Sequence, residues 1–224
     1  MTVAAAILSA TAEGALADTL GQPRVRRLVD VAWSGGALPV VVLSPDPDGS
    51  VARALIGSEA IHGLAAPAES GPVGQMARAA ELARSEVLDT TAVLLWPARM
   101  IWVGPETVTS LIEAHGVEQA TILRPAWHGE AGWPVLVPSQ HLGHLSELQA
   151  QLGPDEVVEA LSRVASTRLV ELGDPGVVRD AETGLDDLPM YEGPPDPAAG
   201  HSHEWGDDVV AEADLTAPDD HPAR

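Results

Sequence analysis

Residues Ala92–Val108 read AVLLWPARMIWVGPETV, and this stretch decides the fold. Ala92-Val93-Leu94-Leu95 is an unbroken apolar run bounded by breakers, the pattern of a strand buried on both faces in the middle of a parallel sheet. Pro97 has no amide hydrogen to offer a ladder and so marks the strand's end. Gly104-Pro105-Glu106-Thr107 then opens a helix, with Pro105 presetting the first turn and Glu106 near the positive end of the helix dipole. In an open α/β sheet, ligands sit outside the carboxyl ends of the strands. The chemistry is therefore expected around Trp96–Trp102. That segment holds no carboxylate, His, Ser or Thr, and its one ionic group is Arg99.

Outward from this centre, Val3–Leu8, Pro39–Leu43, Gln119–Leu123, Trp133–Val137 and Arg168–Leu172 read as strands, with Glu59–His62 a small edge strand. Helical spacing predicts helices over Pro23–Ser34, Val51–Ile56, Val73–Glu86, Glu106–His115, Gln140–Gln151 and Pro154–Ser166, and a stub at Leu185–Leu188. Ser9–Leu20 and Ala65–Pro72 read as loops, and Asp46–Ser50 and Trp127–Gly132 as turns. Strands alternating with helices predict βαβ units on a mostly parallel sheet, one α/β domain over residues 1–190. Residues 191–224 change character: nine acids, a single Arg and few aliphatics predict a disordered acidic tail.

Composition narrows the function classes. All 12 basic residues are Arg, against 33 Asp and Glu, for a formal charge of −21. A nucleic-acid or anionic-membrane surface is excluded on that charge. With no Cys, neither disulfides nor thiolate metal sites are available. The first ten residues carry no basic region and no apolar run approaches membrane-spanning length, which predicts a soluble, cytoplasmic protein without a membrane partner.

The order of elements resembles the MobA-like NTP transferases, which include the enzymes attaching CMP or GMP to molybdopterin. Ala6-Ile7-Leu8-Ser9-Ala10, Gly21-Gln22-Pro23 and Arg27-Leu28-Val29 look like that family's opening strand, nucleotide loop and first helix. Gly74-Gln75-Met76-Ala77-Arg78-Ala79 resembles its Gly-x-x-x-Ser-Leu stretch. Leu94–Val108 is similar to its strand ending in Asp-x-Pro and followed by Pro-Glu-Thr. His128-Gly129 with Gly132-Trp133-Pro134-Val135-Leu136 resembles its Gly-His-Pro-Val-Leu, and Asp180-Ala181-Glu182-Thr183 with Asp186 its late Asp-x-Asp-Thr-x-x-Asp. The resemblance spans Val3–Leu188. It implies a three-layer α/β/α, GT-A-like (Rossmann-like) fold of the nucleotide-diphospho-sugar transferase type. It also implies a nucleotide held near Ser9, Ala10 and Gly14, and Mg²⁺ held with the nucleotide by Asp180 and Glu182; Arg24, the nearest cation to the loop, and Arg99, by its own charge, are further candidates to meet the nucleotide.

The departures fall where the chemistry belongs. The family's first loop is Gly-rich with an Arg and a Lys that hold the triphosphate; here Ser9–Asp18 has one Gly, no cation, and two acids, Glu13 and Asp18. The family's central strand ends in an Asp that holds Mg²⁺; aligning Pro105-Glu106-Thr107 puts Arg99 in that slot, and a shift of one or two gives Ala98 or Pro97. Trp133 replaces the family's His.

Each candidate also has a plain structural reading. Arg99 reads as an anion-binding residue or as a surface Arg paired with a nearby acid, and the acidity of the chain favours the pair. Asp180 and Glu182 read as metal ligands or as a turn and cap. Trp96, Trp102, Trp127 and Trp133 read as a stacking or partner face, or as core filling in a chain without Phe. His141 and His144, at i and i+3, read as a polar helix face or two ligands of a metal with Glu147. His201-Ser202-His203-Glu204 is a tail feature. Two functions follow. One is a divergent MobA-like domain, catalytically impaired or inactive, acting as a nucleotide-binding or scaffold module near molybdenum cofactor or molybdoenzyme maturation, with a protein partner on the Trp-rich face or acidic tail. The other is an active nucleotidyltransferase moving NMP from CTP or GTP to a molybdopterin-like or other phosphorylated acceptor.

Overall fold

Central strands with no polar alternation need both faces covered, and the chain meets that need with helices on either side of one sheet. The computed structural model describes residues Thr2–Gly193. In chain order they form β1 (Thr2–Leu8), α1 (Ala12–Leu16), β2 (Asp18–Thr19), β3 (Gln22–Pro23), α2 (Arg24–Ser34), β4 (Val40–Ser44), α3 (Ser50–Ala54), β5 (Ala60–Leu64) and α4 (Gly71–Glu86). Then follow β6 (Thr90–Pro97), α5 (Pro105–Val117), β7 (Ile122–Trp127), β8 (Glu130–Ala131), β9 (Val135–Pro138), α6 (Pro154–Ser162) and β10 (Thr167–Glu171). Across the main sheet the strands run β5-β4-β1-β6-β9-β7-β10, with β8 paired to β7. Within that sheet every pairing is parallel except those of β9 and β8, and β2 and β3 form a separate antiparallel pair. The fold is the mostly parallel, GT-A-like α/β arrangement expected.

β6 lies at the centre, in register with β1 from Val3↔Ala92 to Leu8↔Pro97. Ala92–Trp96 are fully buried, as are all five residues of β4. α2 packs beside α5, and α4 packs beside the 3-10 stretch Ser139–Glu147 and α6. The strand order reverses between β1 and β6. Their carboxyl ends therefore open a crevice at Ser9 and Ala98, the topological switch point where such sheets take ligands.

The structure adjusts several sequence expectations. The Ser9–Leu20 loop contains α1, capped by the Thr11 hydroxyl, which accepts from Gly14 N at 2.9 Å. Trp127–Gly132 is a hairpin tip: His128 and Gly129 have φ of 51° and 80°, the two-residue turn that suits strand twist, and β8 follows. So short a connection cannot make a crossover, and β9 (expected to start at Trp133) returns antiparallel. Gln140–Gln151 is not α-helical; a 3-10 helix runs Ser139–Glu147, with Gly143 weakening helical propensity at its middle. The helix expected over Pro154–Ser166 ends at Ser162. Tyr191–Gly193, expected as the start of the tail, are seated on the domain: Glu192 N donates to Gly173 O at 2.8 Å and Gly193 bridges Gly173. The rest of the expected acidic tail, 194–224 with His201 and His203, lies outside the described residues.

The segment after β10 is anchored by Asp174, which is 3 % exposed. Its Oδ2 accepts from Gly104 N at 2.8 Å and Thr107 Oγ1 at 2.6 Å, and its Oδ1 accepts from Gly176 N at 2.8 Å. A residue that follows β10 thereby caps α5 from a distance. Asp174→Ala is expected to lower unfolding free energy by about 3 kcal/mol, since buried donors lose a charged acceptor; urea denaturation measures it.

His115, on α5, is fully buried, and its Nε2 lies 3.2 Å from Thr91 Oγ1 while Nδ1 has no partner. Burial holds its imidazole below the ordinary value. The unfolded chain therefore binds the proton first: His115 contributes full stability above the unfolded value of about 6.5, and loses it as pH falls below that. Unfolding followed from pH 7.5 down to 5 is expected to show a slope that His115→Gln reduces, by at most about 1.4 kcal/mol per pH unit.

Candidate functional site

The crevice is built from the turn after β1, the turn after β6, and the segment after β10. Ser9 N donates to Leu43 O at 2.9 Å, so the first turn leaves the sheet tied to β4. Its polar groups then satisfy one another. The Ser9 hydroxyl donates to Thr11 O at 2.9 Å, the Ser44 hydroxyl reaches the same carbonyl at 3.4 Å, and the Gly14 amide is held by Thr11. Ala10 is exposed, and so are Glu13 and Asp18. Arg24 opens α2 and is half-buried; its backbone N donates to Ala17 O at 3.0 Å, and its Nε is buried without an acceptor. Of the residues expected to hold a nucleotide, Ser9 and Gly14 are engaged within the loop itself.

Asp46 lies just after the neighbouring strand β4. Burial would raise its carboxyl, but amide hydrogen bonds from Ala52 and Val51, helped by His62, hold it below the usual range. It is the cap of α3, accepting from those amides at 3.0 and 2.9 Å.

At the end of β6 the chain turns tightly. Ala98 N donates to Leu8 O at 2.8 Å, and the buried Trp96 indole donates to Met100 O at 3.0 Å. Arg99 projects with its side chain about half exposed, and its guanidinium stands 3.8 Å from Asp155 of α6. Asp155 also stands 3.7 Å from Arg124 of β7 and accepts from the Trp133 indole at 3.2 Å. Burial lowers the Arg124 pKa from its ordinary value, and the Asp155 charge works against that shift. The sequence marked Arg99 and Trp133 but missed Arg124 and Asp155. Their only local signals are an Arg inside an apolar strand and an acid in a Pro-led first helical turn.

The late segment does meet the β6 end. Ala181 N donates to Arg99 O at 2.8 Å, and the Trp102 indole donates to both Asp180 O and Thr183 O at 3.0 Å. Asp180 and Glu182 are thus brought beside Arg99, some eighty positions earlier in the chain. Asp180 Oδ1 accepts from Glu182 N at 3.0 Å, the turn role, and Glu182 is exposed. Among the described residues no group of three or more His, Asp or Glu side chains is placed to hold a metal. With the Arg99 guanidinium beside them, Asp180 and Glu182 do not make up the oxygen shell Mg²⁺ takes.

The tryptophans divide. Trp96 and Trp133 are core. Trp102 is pinned by its N–H, and Trp127 lies under Arg179, whose guanidinium is 5.6 Å from the ring centroid. The His141 and His144 rings stack at 6.3 Å, with His141 Nε2 2.8 Å from Ala120 O and His144 3.4 Å from Glu147.

Comparison with known proteins places this geometry. A family model described as the MobA-like NTP transferase domain matches residues 13–164. No protein among those with curated descriptions matches the sequence. Among solved structures, a nucleotidyl transferase of Methanothermobacter superposes with a TM-score of 0.64 at 17% identity, over 83% of this chain and 94% of that one. The Rv0371c protein of Mycobacterium tuberculosis, solved as a complex with manganese, gives 0.59 at 18% identity, over 76% and 88%. The 2-C-methyl-D-erythritol 4-phosphate cytidylyltransferase of Thermus thermophilus gives 0.58 at 17%, over 84% and 96%.

The first turn's self-sufficiency has a measurable consequence. Thr11→Ala removes the cap of α1 and is expected to lower stability by about 1 kcal/mol in thermal unfolding.

Proposed function

The chain belongs to the MobA-like NTP transferase domain family, and we propose that it uses the fold as a nucleotide-binding or scaffold module whose transferase chemistry is impaired or absent. The observation that carries this reading is Arg99 at the end of β6, half exposed and facing Asp155, where the resemblance puts a metal-binding Asp. Nucleotidyl transfer depends on positive charge placed against the phosphates, from a cationic loop and from a metal. Here the loop after β1 carries no cation and offers Glu13 and Asp18 instead, so both sources are weakened together. One lost group can be replaced by a neighbour, whereas losing both leaves the developing charge unstabilised.

A place near molybdenum-enzyme maturation is part of the proposal and comes from the family alone. So does a cytoplasmic setting, alongside the finding that no described helix is long and apolar enough to cross a membrane. A basic protein partner suits a chain of formal charge −21. The second reading is an active nucleotidyltransferase using CTP or GTP with Mg²⁺. The contact from Ala181 N to Arg99 O favours it, because it carries Asp180 and Glu182 to the strand end.

Thermal unfolding with CTP, GTP, ATP and UTP, with and without Mg²⁺, separates the two. A module without transfer chemistry is expected to show no Mg²⁺-dependent shift; a metal-free shift lost in Arg99→Ala identifies nucleotide binding, and no shift identifies a scaffold. A nucleotide-selective, Mg²⁺-dependent stabilisation of about 2.7 kcal/mol at a hundredfold excess over Kd, abolished by Asp180→Asn, would replace this reading with the active one.

A further inference from the structure

We propose that Arg99, Arg124 and the Trp133 indole N–H form a binding site for a phosphate-type oxyanion, and that Asp155 is the site's own displaceable occupant. The site adjoins the nucleotide crevice and does not require that a nucleotide bind there.

Three donors from three parts of the chain converge on one carboxylate: the turn after β6, the interior of β7, and the residue two before β9. Two guanidiniums face this one carboxylate, in a chain that has 33 acids and only 12 cations to place. The fit is loose. The Arg99 and Arg124 contacts, at 3.8 and 3.7 Å, are ionic but too long for hydrogen bonds, and only the Trp133 indole is within bonding distance, at 3.2 Å. A carboxylate has two oxygens in one plane. A phosphate has three or four spread tetrahedrally, and can reach both guanidiniums at the roughly 2.8 Å of a charge-assisted bond.

Arg124 adds a separate reason. Its side chain is 19% exposed, and its Nε is buried with no acceptor. A largely desolvated cation with an unmet donor is costly unless something completes it, and Asp155 does so only in part.

Asp155 is free to leave. Its side chain is 64% exposed, and a loose exposed ion pair contributes little. Nor does the start of α6 depend on it, because Glu156 makes the cap, accepting from Gly153 N at 2.7 Å. The carboxylate can swing into solvent with the helix intact. The incoming oxyanion has two sources of the same chemistry, a nucleotide phosphate or the phosphate of a separate acceptor.

The test is isothermal titration of the full-length protein with inorganic phosphate at low salt, on the native chain, Asp155→Asn, and the double variants Asp155→Asn/Arg99→Gln and Asp155→Asn/Arg124→Gln. The Asn keeps an acceptor for Trp133 and removes the charge. Asp155→Asn is expected to bind phosphate at least tenfold more tightly than the native chain, and each double variant to lose the gain. Equal affinity in Asp155→Asn and the native chain, or a gain that survives Arg99→Gln, overturns the proposal; Arg99→Gln carries this control alone if Arg124→Gln unfolds the domain. Competition by a nucleoside triphosphate names the nucleotide as the source, and additive binding names a separate acceptor. The probe is phosphate alone, so its failure is distinct from a failure of nucleotide binding.

Discussion

Asp174 is a buried carboxylate that meets two amides and a hydroxyl, and the geometry of the crevice depends on it. It fixes the start of α5, which sets the path of the turn from Pro97 to Gly104. It also lays the segment after β10 across the carboxyl ends of the strands. Gly176 sits so close beneath that turn that a Cβ there would lie 2.2 Å from Trp102 O, so the two backbones are in direct contact. The helix dipole at the start of α5 favours the negative charge, which explains how an acid is tolerated in a nearly closed position without a cation. Once this clasp is made, the Trp102 indole and the Arg99 carbonyl hold Asp180–Thr183 in place.

The second constraint is electrostatic. A chain with 33 acids and 12 arginines has few cations to place. Several of them are used on backbone carbonyls: Arg26 on Ile56 O and Gly57 O, and Arg27 on Ile101 O. Those contacts pin loops to helices and leave no charge for a ligand. Against that background, Arg99 and Arg124 gathered at one exposed acid stand out as cationic potential that the fold has not otherwise used. The loop after β1 shows the opposite economy, with hydroxyls and an amide closed on one another and carboxylates outward. Arg99 and Arg124 thus stand on the β6–β7 side of the crevice, and Arg24 on the side of the first turn.

The fold was largely legible in the sequence. Continuous apolar runs, as in Ala92–Leu95 and Pro39–Leu43, force strands buried on both faces, and breakers such as Pro97 and Gly104-Pro105 bound them. Where the reading slipped, short-range physics had two acceptable answers. Thr11 could begin a helix or stay in a loop, and Gly143 could interrupt an α-helix or turn it to 3-10. The antiparallel return of β9 follows from the short hairpin at His128-Gly129, a positional fact that composition hides.

The sequence by itself determined the class of fold, the place of the crevice, and the absence of a carboxylate at the end of the central strand. Each of these is a matter of residue type and local period. Only the tertiary structure decided which side chains meet there. Arg99 and Asp155 are separated by more than fifty positions, and Gly104 and Asp174 by seventy. No local pattern links such pairs. They are joined because sheet pairing and core burial bring β6, β7, α5 and α6 together, and their polar residues then take the partners that packing leaves within reach.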